Sequence, residues 1–126
     1  MSEKKTCLDL DHLAAMTMGD AAIAVEVLEI FKGQAETWGR MLDATAPQTQ
    51  WADAAHTLKG AALGIGAMAL ADVCKRAEDI GRSTETVSEA QAALVLSDVR
   101  SALSTTLEAV HGEVHALELK APFRAA

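Results

Sequence analysis

Apolar positions recur at intervals of three and four along most of the chain, and no segment sustains the period of two that a half-buried strand requires. A short helix is predicted from about Asp9 to Met16, ending before Gly19. Asp20 is a suitable N-cap for a second helix, because its carboxylate can accept the free N–H groups of the first turn. The stripe Ala24, Val27, Phe31, Ala35, Trp38 and Leu42 carries that helix to about Asp43. Thr45-Ala46-Pro47 breaks it, and proline suits the first turn of a third helix, where its missing N–H costs nothing. Trp51, Ala55, Leu58, Ala62 and Ile65 form the inward stripe of this third helix, and a break is expected at Gly64 to Gly66. A fourth helix is predicted from Ala67 to about Ile80, with Leu70, Val73, Cys74 and Ala77 inward and Gly81 as a left-handed terminator. Thr86-Val87-Ser88-Glu89 reads as a capping box opening the last helix. Its stripe, Ala92, Leu96, Val99, Leu103, Leu107, Val110, Val114 and Leu117, implies ~30 residues and a length of ~45 Å, with Gly112 as a point of bending or fraying. Short connections between amphipathic helices predict an all-α antiparallel four-helix bundle, with the short first helix capping one end.

Composition narrows the function classes. The 126 residues suit one domain, which is large enough to bury a core without staples. Only 3% are aromatic while half are apolar, and the many alanines imply close packing through small side chains. The two cysteines, Cys7 and Cys74, make neither a disulfide framework nor a zinc motif. No apolar run approaches the ~20 residues of a membrane span, and the charged start Met1-Ser2-Glu3-Lys4-Lys5 lacks the apolar segment of a secretory signal. A reducing cytoplasm is therefore expected. A net charge of −7 argues against nucleic acid as a partner.

Chemistry concentrates on the third helix. On a wheel with Trp51 at zero, the inward residues fall within ~40° and His56 lands near ~140°, which predicts a solvent-facing imidazole. Lys59 lies three residues on, close enough to place an ammonium beside the ring. Gly60, one turn beyond, costs ~1 kcal/mol relative to alanine in a helix interior and removes a side chain that would crowd the histidine. Ala52 and Leu63 complete a small apolar surround. Such a group could carry phosphate and meet a partner; on the wheel alone, an ordinary surface histidine beside a tolerated glycine fits equally well.

The segment Ala55-His56-Thr57-Leu58-Lys59-Gly60 closely resembles the signature of histidine-containing phosphotransfer (HPt) domains, the shuttle modules of two-component phosphorelays. Gly66-Ala67, Leu70, Cys74 and Glu78 fall at the family's spacing, and Asp20, Leu28 and Phe31 look like its second helix. The resemblance covers about residues 8 to 115; the domain is placed at 8–118, with 1–7 and 119–126 as flexible tails. Ala61 and Ala62 stand where the family often has serine, Gly64 adds a second glycine, and Ala77 replaces a common leucine.

The resemblance implies that His56 accepts a phosphoryl group, on Nε2, from a receiver-domain aspartate or a kinase and passes it to another response regulator. It casts Lys59 as the stabiliser of phosphate charge and Gly60 as the source of steric access. Docking would use Ala52, Asp53, Leu63, Gly64 and the start of the second helix. The implied partners are response-regulator receiver domains and a hybrid sensor histidine kinase, not nucleic acid or membrane. Mg²⁺ would sit on the receiver, so no cofactor or metal of its own is expected. Without a kinase motif or nucleotide loop, the chain is expected to be a phosphocarrier that lacks autokinase activity.

An alternative is a helical adaptor that docks on receiver or kinase domains without carrying phosphate. A third reading is a phosphoacceptor domain cut from a larger kinase, although Met1 and the end soon after the last helix favour a free-standing protein. His111 and His115, four apart, lack a third metal ligand and are expected at the surface, as is His12. Cys74 is expected in the core and Cys7 near a mobile end. Asp53 and Glu78 could be taken as a carboxylate pair, but a solvated face explains Asp53 as well, and Glu78 is a candidate for orienting the histidine.

Overall fold

The computed structural model describes residues 7–120, in five α-helices: α1 Leu10–Met16, α2 Ala21–Gly39, α3 Gln48–Ile65, α4 Met68–Gly81 and α5 Glu89–Lys120. No strand occurs among the described residues. Helix α2 packs beside α3 and α5, and α4 also packs beside α3 and α5, so the four long helices close into a bundle. Residues 1–6 and 121–126, most of the two tails expected to be flexible, lie outside the described residues; Leu119 and Lys120 belong to α5.

Local chemistry sets the helix ends. The Asp20 carboxylate accepts N–H groups from Ala22 and Ile23, and the Asp9 carboxylate does the same for His12. Helix α3 ends at Gly66, whose φ of 79° is easy only for glycine. The Ala67 N–H reaches the Ala62 carbonyl at 2.8 Å and the Gly66 N–H reaches Leu63 at 3.3 Å, a Schellman closure that turns the chain directly into α4. Helix α1 seals this end of the bundle, with the Asp9 N–H donating to the Gly66 carbonyl at 2.9 Å.

Three expected boundaries shift. Helix α2 stops at Gly39 instead of Asp43, but the tight turns Met41 N–H to Trp38 and Leu42 N–H to Gly39 keep Leu42 fully buried. The cap of α5 is Ser88, not Thr86: its Oγ accepts the Gln91 N–H at 3.1 Å and its carbonyl accepts the Ala92 N–H. Gly81 is helical and does not terminate α4 with a left-handed residue; a Cβ there would lie 2.8 Å from both the Ala52 Cβ and the Trp51 ring. Its small size lets α3 and α4 approach closely. Gly112 does not end α5, which runs for 32 residues.

The core follows the predicted stripes, with Phe31, Trp51, Leu58, Leu70, Leu96 and Val99 almost wholly enclosed. Burial on α3 is wider than the wheel indicated, taking in Ala52 and Ala54 as well as Trp51, Ala55, Leu58, Ala62 and Ile65. This helix has neighbours on two sides, α2 and α4, so a single inward direction does not describe it. Gln48 fastens the far end of the α3–α4 pair. Its Nε2 donates to the Gly81 and Glu85 carbonyls and its Oε1 accepts the Val87 N–H at 2.9 Å, which fixes the loop into α5.

Candidate functional site

His56 lies midway along α3 on the open side of the α3–α4 pair, with 59% of its side chain exposed. The outward position expected from the wheel is what the bundle provides. Its Nδ1 is 2.9 Å from Glu78 Oε2 on α4, and the other oxygen of the same carboxylate accepts a 2.8 Å hydrogen bond from Lys59 Nζ. The Glu78 side chain is only 13% exposed. Lys59, helped by the hydrogen bond from His56, holds the Glu78 carboxyl below the usual carboxylate range despite this burial. An ionised carboxylate only accepts hydrogen bonds, so Nδ1 carries the proton. In the neutral ring this sets the tautomer, with the lone pair on Nε2.

Two further charges complete the cluster. Arg82 Nη1 donates to Asp53 Oδ1 at 2.8 Å, and Arg82 Nε lies 3.5 Å from Glu78 Oε2. Asp53 holds the guanidinium firmly in its charged form. The resulting chain of contacts runs Asp53, Arg82, Glu78, then His56 and Lys59, across two helices brought together by Gly81 and Ala52.

Gly60 is exposed, and a Cβ added to it would meet nothing within 4 Å. Nothing inside the molecule therefore requires glycine there, in contrast to Gly66 and Gly81. Leu63 is exposed and Gly64 half-buried. Ala52, expected among the surface docking residues, is instead fully buried against α4 at Gly81, because close packing of the two helices covers that side of α3. Gly64 and Ala61 line a shallow apolar groove with Met16, Val27 and Ile30, joining the end of α1 to α2 and α3.

Glu78 was legible only as a possible orienting group, and Arg82 not at all as a site residue, since helix spacing says nothing about which face of α4 meets α3. The other candidates fall elsewhere. His111 and His115 are exposed on α5, and among the described residues no group of three or more potential metal ligands gathers. His12 is half-buried instead of exposed, with its Nε2 enclosed and without a protein partner. Cys74 is buried beneath the Lys59–Glu78 pair, and that burial pushes its thiol up to about 12. No helix among the described residues is long and apolar enough to cross a membrane.

The all-helical bundle and the outward-facing His56 agree with the resemblance of the sequence to histidine phosphotransfer domains. The Hpt domain family matches residues 26–118, and the chain belongs to that family. Its structure is similar to that of the histidine phosphotransferase ShpA from Caulobacter crescentus, at 36% sequence identity and a TM-score of 0.74, over 94% of this chain and 100% of that one. No match was found among curated proteins. The family gives the chain a role in two-component phosphorelays, whose partners include receiver domains.

Proposed function

We propose that the protein is a phosphorelay intermediate in which His56 Nε2 accepts a phosphoryl group from a receiver-domain aspartyl phosphate and hands it to the aspartate of a second receiver. The observation that carries this reading is the hydrogen bond between Nδ1 and Glu78, which in the neutral ring leaves the Nε2 lone pair free on a largely exposed side chain. The Nε2 lone pair attacks phosphorus, the P–O bond to the receiver carboxylate breaks, and the electron pair leaves on that carboxylate oxygen. No proton is exchanged. Positive charge that develops on the ring is met at Nδ1–H by Glu78, as a buried carboxylate serves a catalytic imidazole elsewhere.

Positioning and charge neutralisation dominate phosphoryl transfer, so little further machinery is needed on this side. The receiver supplies Mg²⁺ and its acidic pocket, and this chain acts as a carrier with no cofactor of its own. Lys59 is the nearest ammonium to offset the ≈ −1.5 to −2 charge that a phosphoryl group brings. Gly60 leaves the approach to Nε2 open, consistent with the absence of any internal packing demand for it. Docking uses the exposed Leu63, Gly64 and the groove beside them, where Met16 and Ile30 present apolar surface next to the histidine helix. A hybrid sensor kinase fits upstream as the source of the phosphoryl group.

The test is transfer from a phosphorylated receiver domain, read as acid-labile, base-stable phosphate on this chain. Wild type should accept phosphate and His56→Gln should not. Equal labelling of the two would refute the assignment, and no labelling of wild type from several receivers would favour an adaptor that docks without carrying phosphate.

A further inference from the structure

The surroundings of His56 contain a cation that is already committed elsewhere. Asp53 lies three residues before His56 on α3, and Arg82 lies four residues after Glu78, where α4 ends. Arg82 Nη1 is 2.8 Å from Asp53 Oδ1, and its Nε is 3.5 Å from the carboxylate oxygen that receives His56 Nδ1–H at 2.9 Å. The guanidinium Nε is therefore no farther from His56 Nδ1 than those last two separations laid end to end, and the acceptor Nε2 lies one carbon further round the same ring. Its side chain is 44% exposed, whereas Lys59 is more enclosed and bonded to the other oxygen of Glu78. Arg82 is thus the more movable of the two cations.

A loaded His56 changes the balance of charges here. The incoming group brings ≈ −1.5 to −2 charge onto a face that already carries Asp53, one helical turn away. Guanidinium binds phosphoryl oxygens through paired planar donors, a stronger arrangement than an exposed bond to one carboxylate oxygen.

We propose that the Asp53–Arg82 ion pair is an exchangeable counter-charge for the phosphorylated state: Arg82 leaves Asp53 for the phosphoryl oxygens when His56 is loaded and returns when it is unloaded. Asp53 then lowers the stability of the phosphorylated form, by competing for the arginine, and Arg82 raises it. The pair poises the carrier so that it neither refuses the group nor retains it. This inference rests on His56 being the acceptor. The transfer step itself is unchanged: the Nε2–P bond forms as the P–O bond to the receiver aspartate breaks, and the reverse occurs on unloading.

The experiment measures the ratio of loaded to unloaded protein at equilibrium with a dilute receiver domain phosphorylated by acetyl phosphate. Docking affinity cancels from this ratio, since both sides are separated proteins. Exposed ion pairs shift equilibria by up to about fivefold, so Asp53→Asn should raise the ratio by roughly two- to fivefold and Arg82→Gln should lower it by a similar factor. The double variant should match Arg82→Gln alone, because Asp53 acts through the arginine. Arg82→Lys, which keeps the charge but loses the paired donors, should fall between wild type and Arg82→Gln and guards against a folding defect in the latter. An unchanged ratio in Asp53→Asn overturns the proposal. So does a gain that persists undiminished in the Arg82→Gln background, since Asp53 would then act by direct repulsion. Failure to load wild type, or loading of His56→Gln, would instead overturn the acceptor assignment on which the proposal rests.

Discussion

Gly81→Ala should destabilise the protein and disturb the site together, whereas the same change at Gly60 should do the reverse for stability. At Gly81 the new methyl would sit 2.8 Å from the Ala52 Cβ and 2.8 Å from Trp51 Cζ3, with Cη2 at 3.2 Å. Carbon atoms prefer ~3.5–4.0 Å, so α4 must retreat by close to an ångström or the indole must turn. Neither group yields easily: Trp51 is enclosed by the core, and Ala52 has no side-chain freedom. Overpacking of this kind costs ~1–3 kcal/mol, partly offset by the ~0.5–1 kcal/mol gained on replacing a helical glycine. The expected net loss is ~1–2 kcal/mol, or a fall in Tm of roughly 3–10 °C for a domain of this size. Because Glu78 and Arg82 flank Gly81 on α4, the same retreat lengthens the bond to His56 and slows phosphoryl transfer. Gly60→Ala meets nothing within 4 Å and should gain ~0.5–1 kcal/mol. Thermal and urea unfolding of both variants, beside wild type, provide the check. A Gly81→Ala protein as stable as wild type would refute the packing argument, and a destabilised Gly60→Ala would refute the claim that only an external partner demands that glycine.

Further outcomes follow from the same geometry. Glu78→Gln should slow loading of His56 by ~10- to 100-fold, the equivalent of a charge-assisted hydrogen bond, in a single-turnover assay; an unaltered rate would remove its orienting role. The stability that Glu78 contributes has a defined pH window. Because Lys59, together with His56, lowers its folded pKa below the reference value of 4.5, wild type should exceed Glu78→Gln in stability above that pH, and the difference should vanish as pH falls through the lower folded value. Urea midpoints of the two proteins at stepped pH report it, and a gap that widens in acid would contradict the sign. Gly60→Gln should keep the fold but slow transfer at least severalfold, and Lys59→Ala should slow transfer or shorten the phosphohistidine lifetime, both read by loss of label with time. Iodoacetamide should label half-buried Cys7 in the native protein but leave Cys74, whose thiol is pushed up to about 12, untouched until unfolding; early loss of Cys74 would show that the core opens readily there.

The sequence by itself determined the helices, most of the inward stripes and the outward direction of His56, because all three depend on the 3.6-residue period within one segment. The Asp20 cap and the break around Gly66 were readable for the same reason: each is a local backbone requirement met by a particular side chain, or by the lack of one; Pro47 precedes the third helix as its N-cap instead of lying in its first turn. The tertiary structure decided everything that depends on which helix lies beside which. Ala52 is buried and Gly81 is a packing contact because α3 and α4 close on each other. Glu78, from a different helix, sets the tautomer of His56 and takes the Lys59 ammonium, while Arg82 couples Asp53 to the same carboxylate. A helical wheel gives the azimuth of a residue about its own axis; it carries no information on the rotation and offset of a neighbouring helix, and those set the contacts that His56 makes with Glu78.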